Sequence, residues 1–253
     1  MNKSGKRYFR NFLAHKLRFN VVLGVLLILL FGIPRFLLVL QASSGGNYTY
    51  VSMIFVAMCL TPFLLLNKQG REKIGMVAPA RPIWWLYAVL IGLGACLAVY
   101  VTGKSLFGMG TDNWFVYISR SYAASLPVDF DSHRATAFLA MSAAAVTFSP
   151  LGEELLYRGL IHECFVPTLG EGRASMVDSA AFAITHLSHF GILFVAGHWE
   201  FHFLPALLWV MLMYFASRLF FYCKYKGGSL ITAFMCHAGF NLGMTYIICY
   251  HIL

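Results

Sequence analysis

Two adjacent glutamates, Glu153 and Glu154, lie in the segment 152-GEELLYRG-159, directly after a long apolar run. Neighbouring residues on a helix point about 100° apart, so the two carboxylates cannot face the same place. Residues four apart share a face, so Glu154 and Arg158 can form an ion pair. Glu153 is then left without a partner on its own helix. The spacing predicts one structural and one working carboxylate, with a simple helix-end salt bridge as the alternative.

Two further polar groups interrupt apolar segments downstream. His186 closes the stretch 182-FAITH-186, and Phe182 lies one turn earlier on the same predicted face. His237 and Asn241 are also four residues apart, so both project from one face of the last apolar span. An ionisable group inside a membrane span is a candidate functional residue, whereas hydrogen bonding between helices is the structural alternative.

These residues together supply the groups that hydrolysis of an amide requires. A carboxylate and a histidine can activate a water molecule as general base. Two side-chain donors on one helix face can stabilise the oxyanion that develops in the transition state. The residue types therefore favour direct attack by water, without a covalent intermediate.

The composition restricts where such a site can lie. The 253 residues are 59% hydrophobic and only 11% charged, whereas soluble domains carry about 25% charged residues. Several uncharged runs are long enough to cross a bilayer. We therefore predict an all-α, polytopic transmembrane bundle of about seven or eight helices with a polar intramembrane catalytic cavity.

The net charge of +9 is distributed unevenly along the chain. Basic residues precede the first apolar run and fill one short loop: Lys3, Lys6, Arg7, Arg10, Lys16, Arg18, and then Lys68, Arg71, Lys73 and Arg81. This is the positive-inside pattern of a membrane protein and argues against nucleic acid as a partner. It predicts a multi-pass protein with a cytoplasmic N-terminus, and the short loops suggest a bacterial cell membrane. Arg35 and the length of the first apolar run argue against a cleaved signal peptide.

Seven apolar spans are predicted, at about 19–40, 50–66, 83–101, 135–150, 176–197, 203–223 and 229–250. A further helical stretch, 153–168, continues the fourth span, with a bend or break expected at Pro150 and Gly152. Residues 102–134 form a long outer segment. Because polar side chains at depth are concentrated after this segment, we divide the chain into an N-terminal membrane region, 1–134, and a catalytic core, 135–250.

The order E-E-x-x-x-R, F-x-x-x-H and H-x-x-x-N resembles the CPBP family (CAAX-processing and bacteriocin-processing) of intramembrane glutamic endopeptidases. The stretch 226-KGGSLITAFMCHAGFN-241 is similar as well, and the resemblance covers about residues 135–245. Tyr157, where the family often has Phe, is a mild departure. Residues 1–134 match nothing more specific than a membrane protein.

The resemblance implies a role for each motif residue. Glu153 and His186 would activate the water, and His237 and Asn241 would form the oxyanion hole. Glu154, Arg158 and Phe182 would support the site. It also implies no metal, no nucleotide, a cavity reachable from the cytosolic side, and a membrane-associated peptide or protein as substrate.

Two other functions remain as alternatives. A zinc-dependent membrane protease is one, but in 162-HECFV-166 the second histidine of the zinc motif H-E-x-x-H is replaced by Val166. Histidines also occur at positions 186, 189, 198 and 202, where the last two are expected in a solvated outer turn. The other alternative is a non-catalytic membrane protein that gives self-immunity to a bacteriocin. A transporter would more often show inverted repeats and interrupted helices.

Overall fold

The computed structural model of the chain describes residues 8–45, 47–123, 126 and 129–253, so the basic residues Lys3, Lys6 and Arg7 lie outside it. Regular structure in these residues is almost entirely helical. The helices are α1 (Val21–Gly45), α2 (Thr49–Leu65), α3 (Lys68–Lys73), α4 (Ile83–Phe107), α5 (Trp114–Ala123), α6 (Phe130–Glu153), α7 (His162–Thr185), α8 (Phe203–Gly227) and α9 (Leu230–Ile247). π-Helical turns follow α6 (Glu154–Ile161) and α9 (Ile248–Ile252), and a 3₁₀ turn (His186–Ser188) follows α7.

The helical membrane bundle predicted from composition is confirmed. Among the described residues, five helical stretches are long and apolar enough to cross a membrane: Val21–Gly45, Ile83–Phe107, Phe130–Ser188, Phe203–Gly227 and Leu230–Ile252. Helix α2, with 17 residues, is a shorter apolar helix. Each of the seven predicted spans coincides wholly or largely with one of these helices, because uncharged runs of this length satisfy their backbone polar groups internally only as helices.

The long stretch Phe130–Ser188 turns back on itself at Gly170. This glycine has φ +74° and ψ 167°, which interrupts α7. His162 Nδ1 lies 2.8 Å from an Asp178 carboxylate oxygen, whereas 16 residues of straight helix would separate them by about 24 Å. The chain therefore reverses at Gly170, and the second half of α7 runs antiparallel to the segment that carries Glu153 and Glu154.

Of the bend or break predicted at Pro150 and Gly152, the structure excludes the break. Helix α6 continues through both residues to Glu153 and then widens into the π-helical turn. Gly152 instead permits close packing, because a Cβ atom there would lie 2.5 Å from the backbone oxygen of Phe55 on α2. Such π-helical turns inside α-helices occur frequently at functional sites.

The predicted fifth span, 176–197, extends too far. Helix α7 ends at Thr185, and β1 (Ile192–Val195) pairs antiparallel with β2 (His198–Phe201). Ala196 and Gly197 connect the strands and both have positive φ, as a tight two-residue hairpin turn requires. The apolar run Ile192–Val195 is therefore a strand and not the end of a helix.

Two loop predictions also need correction. The segment 102–134 is no simple loop, since it includes the end of α4, the short helix α5 and the start of α6. The basic loop 67–82 includes the short helix α3.

Helices α4 and α9 pack closely through glycine, which fixes the helix that carries His237 and Asn241. A Cβ atom at Gly239 would lie 2.6 Å from the backbone oxygen of Val89, and one at Gly92 would collide with the backbone oxygen of Cys236. Small residues at a helix interface allow backbones to approach in this way.

Candidate active site

Glu154 and Arg158 form the predicted ion pair, with 3.2 Å between Arg158 Nη1 and Glu154 Oε1. Both side chains are fully buried. Arg158 Nη2 donates to the hydroxyl of Ser217 on α8 at 2.6 Å. The guanidinium also lies over the rings of Phe182 and Phe220, 4.2 and 5.2 Å from their centroids. This cluster is enclosed by protein on every side and holds α6, α7 and α8 together.

Glu153 is fully buried as well, but its partners differ. Arg35 of α1 places Nη2 at 2.6 Å from Glu153 Oε1. Ser149, one turn earlier on α6, donates its hydroxyl to Glu153 Oε2 at 2.7 Å. The expectation that Glu153 has no partner on its own helix is therefore wrong, because Ser149 occupies the i−4 position.

His186 lies at the end of α7, beside the same arginine. Its Nδ1 is 2.8 Å from the backbone oxygen of Phe182, so Nδ1 carries the proton and Nε2 is the acceptor. Arg35 Nη2 lies 3.5 Å from this Nε2. Trp209 of α8 donates its indole N–H to the backbone oxygen of His186 at 2.9 Å, which fixes the turn.

His237 lies between the two glutamates. Its Nδ1 is 2.8 Å from Glu154 Oε1, and its Nε2 is 3.8 Å from Glu153 Oε2. Phe220 stacks on the imidazole, with 4.5 Å between ring centroids and 14° between ring planes. With Nδ1 donating to Glu154, Nε2 carries a proton toward Glu153 only when the ring is an imidazolium.

Phe182 separates the two histidines, with ring centroids 4.2 Å from His186 and 5.7 Å from His237. Asn241, one turn after His237, donates one amide hydrogen to the backbone oxygen of Ala145 on α6 at 2.9 Å. The second amide hydrogen is available for another acceptor, since a side-chain amide has two donors. All seven residues predicted for the site are thus brought into one region.

A cavity of about 600 Å³ adjoins this region. Its polar lining includes Arg35, Ser149, His186, His237 and Asn241. The remaining wall is mostly apolar and rich in methionine and aromatic rings, as in many binding pockets: Val51, Phe55, Phe148, Phe182, Met141, Met213, Phe240 and Met244. Glu153 lies directly behind Arg35 and Ser149, both of which face the cavity.

The cavity extends toward one end of the bundle. Tyr48 at the start of α2, Ser121 and Tyr122 on α5, and His189 after α7 belong to its lining. These residues lie at the end of the helices opposite the basic loop 67–82. The positive-inside pattern predicts that the basic loop is cytosolic, whereas the resemblance implies that the cavity opens to the cytosol. With the cavity extending toward the opposite end, these two predictions disagree.

The histidines considered for a metal site lie in separate places. His189 Nε2 is 3.4 Å from Arg35 Nη2, beside His186. His198 is exposed on β2, which replaces the predicted turn, and His202 pairs with Asp112 and Glu200. Within the ranges that the structure describes, no group of three or more His, Cys, Asp or Glu side chains has metal-binding geometry.

His162, from the stretch that resembles half a zinc motif, is engaged elsewhere. It is fully buried, and both of its nitrogens meet carboxylates. Nδ1 lies 2.8 Å from Asp178 and Nε2 lies 2.9 Å from Glu171. This cluster closes the chain reversal at Gly170.

Comparison with protein families supports the resemblance carried by these residues. The family model described as type II CAAX prenyl endopeptidase Rce1-like matches residues 135–243. The match covers less than half of the 253-residue chain, so it shows a similarity to this family. All seven predicted site residues lie within the matched residues, and the match supports the predicted class of activity, a protease. Comparisons with curated proteins and with solved structures give no significant match.

Sequence reasoning missed several residues that contact the predicted site. Arg35 carried a usable signal, because it is the sole charged residue of the apolar helix α1. Ser149 carried one too, by its i−4 spacing from Glu153. Thr185 and Ser217, which accept hydrogen bonds from Arg35 and Arg158, carry no distinguishing signal, since small hydroxyl residues are common in membrane helices.

Proposed function

We propose that the protein is an intramembrane, metal-independent endopeptidase whose substrate is a membrane-associated peptide or protein precursor. The observation that carries this proposal is the convergence of Glu153, His186, His237 and Asn241 beside one cavity. These residues come from three separate helices. A purely structural set of polar contacts has no need to adjoin a cavity of this size.

The proposed reaction begins with a water molecule in the cavity next to Glu153. Each carboxylate oxygen has two lone-pair positions, so the bond from Ser149 leaves Oε2 able to accept a second hydrogen. His186 presents an unprotonated Nε2 to the same cavity, where it orients the water. Glu153 takes the proton as the water oxygen attacks the peptide carbonyl carbon.

The oxyanion then forms near the α9 face. The free amide hydrogen of Asn241 and Nε2–H of an imidazolium His237 are the proposed donors. Glu154 supports this role, because its carboxylate lies 2.8 Å from Nδ1 and fixes the orientation of the ring. Proton transfer from Glu153 to the leaving amine and collapse of the tetrahedral intermediate complete the hydrolysis.

The decisive experiment uses purified protein in detergent with a pool of membrane-anchored peptide precursors. Wild type is compared with Glu153→Gln and His186→Ala, with and without a strong chelator, and products are read by mass spectrometry. We expect cleavage by wild type that both substitutions abolish and that the chelator leaves unchanged. Loss of cleavage with chelator would instead support the zinc alternative.

A cellular assay addresses the remaining alternative. If the protein gives immunity to a bacteriocin by binding alone, Glu153→Gln and His186→Ala should still protect cells. We expect neither variant to have any activity that depends on cleavage of a precursor.

A further inference from the structure

Arg35 lies in α1, outside residues 135–243, which match the family model, and none of the three motifs includes it. Its side chain is only 1% exposed. It is nevertheless the closest cation to Glu153, at 2.6 Å, whereas Arg158 pairs with Glu154. A charge buried at this depth in an apolar helix is rare and marks function more often than structure.

The guanidinium group meets four side chains of the site at once. Nη2 faces Glu153 Oε1 and the Nε2 atoms of His186 and His189, at 2.6, 3.5 and 3.4 Å. Nη1 donates to the hydroxyl of Thr185. The ring of Phe55 lies 5.5 Å from the guanidinium carbon. Arg35 therefore occupies the space between one carboxylate and two imidazoles.

We propose that Arg35 is a positioning residue of the active site, a fixed internal cation that orients Glu153 for water activation. This inference rests on the proposed function. Arg35 Nη2 forms the ion pair with Oε1, whereas Oε2 faces the Ser149 hydroxyl and the Nε2 atom of His237. A permanent positive charge at 2.6 Å attracts one carboxylate oxygen and so fixes the orientation of Glu153.

The same guanidinium contacts two histidines. Arg35 Nη2 lies within 3.5 Å of the Nε2 atoms of His186 and His189, so it can donate to them and hold both rings in place. The positive charge of Arg35 also opposes binding of a metal cation between Glu153, His186 and His189, because like charges repel.

Kinetics of Arg35 variants test the proposal. Arg35→Gln should lower kcat at pH 7 by about 10²-fold or more with little change in KM, because the apolar wall of the cavity is unaltered. Arg35→Lys keeps the charge without the planar guanidinium, so it should retain more activity than Arg35→Gln. The matched control is Arg173→Gln, an exposed arginine that should leave both kcat and KM unchanged. A folded Arg35→Gln protein with the wild-type kcat would overturn the proposal.

Thermal unfolding provides a test that needs no substrate. Midpoints are compared for wild type, Arg35→Gln, Glu153→Gln and the double variant. If Arg35 and Glu153 stabilise each other, the double variant should lose less stability than the sum of the losses in the two single variants. Strictly additive losses would overturn the pairing. The two proposals fail separately: no cleavage by wild type contradicts the proposed function, whereas cleavage that depends on Glu153 but not on Arg35 contradicts only this inference.

Discussion

Glu153 and Glu154 are neighbours in the chain, and each pairs with a buried arginine, but the two pairs have different surroundings. The Glu154–Arg158 pair lies within one helical segment and is packed between Phe182 and Phe220. The Glu153–Arg35 pair joins two helices, and its arginine faces the cavity. The difference teaches that burial alone does not separate the two carboxylates, since both are fully buried. What separates the two ion pairs is that Arg35 lines the cavity and Arg158 does not.

The largest expected effect comes from neutralising each glutamate in turn. Glu153→Gln should lower kcat/KM by about 10²–10⁴-fold, because it removes the proposed general base. It should cost less stability than Glu154→Gln, because Arg35 faces the cavity. Glu154→Gln should cost about 3–5 kcal/mol of stability, because Arg158 is left with a weakened partner in an enclosed site. Peptide cleavage and thermal unfolding in detergent measure the two effects.

One result would reverse the comparison. If Glu154→Gln abolished cleavage in a protein of wild-type stability, while Glu153→Gln unfolded, then Glu154 would be the working carboxylate and Glu153 the structural one.

Packing next to the glutamates offers the next largest effect. Gly152→Ala places a Cβ atom 2.5 Å from the backbone oxygen of Phe55, so we expect a loss of about 1–3 kcal/mol from overpacking. The matched control is Gly94→Ala on α4, where a Cβ atom meets nothing within 4 Å. That substitution should stabilise the protein by up to about 1 kcal/mol through helix propensity. Equal effects of the two substitutions would show that α2 and α6 do not need their close approach.

Each of the two glutamate–arginine pairs has a serine beside it, and substituting each serine tests the comparison with a smaller change. Ser217→Ala leaves Arg158 without a hydrogen-bond acceptor in the enclosed cluster, so stability should fall by about 1–3 kcal/mol. Ser149→Ala removes a donor beside the cavity, so it should lower kcat and leave the unfolding midpoint nearly unchanged. If Ser149→Ala lowered the midpoint as much as Ser217→Ala does, the distinction between the two clusters would fail.

The smallest effect concerns a charge cluster outside the membrane spans. Asp112 and Glu200 accept hydrogen bonds from His202 and raise the pKa of His202 above its usual value of 6.5. A raised histidine pKa adds stability that is fully present at low pH and is lost as pH rises through the raised value. The unfolding midpoint of wild type should therefore decline above pH 6.5 more than that of His202→Gln. Parallel pH profiles for the two proteins would contradict this coupling between the hairpin and the α4–α5 turn.

The enclosed cluster could be predicted because its pattern is local. That Glu154 and Arg158, four residues apart, can pair follows from helix geometry alone. The apolar helices were equally predictable, since a bilayer leaves few alternatives for an uncharged run of about 20 residues.

The cavity-facing cluster could be predicted only in part. Arg35 meets Glu153 through packing of α1 against α7 and the π-helical turn, and no spacing rule connects residues so far apart. The strand Ile192–Val195 was assigned to a helix because a short apolar run has no distinguishing period. The π-helical turn Glu154–Ile161 has no signature in the residue types.

The position of Arg35 in the first helix has a consequence for biogenesis. This helix is synthesised and inserted well before Glu153 exists, so its arginine enters the bilayer alone, at a cost of about 2.5–3.5 kcal/mol on insertion scales. At usual rates of synthesis that interval lasts on the order of ten seconds. We therefore expect α1 to reach its final depth in the bilayer only after the helix that carries Glu153 has been inserted and can pair with Arg35.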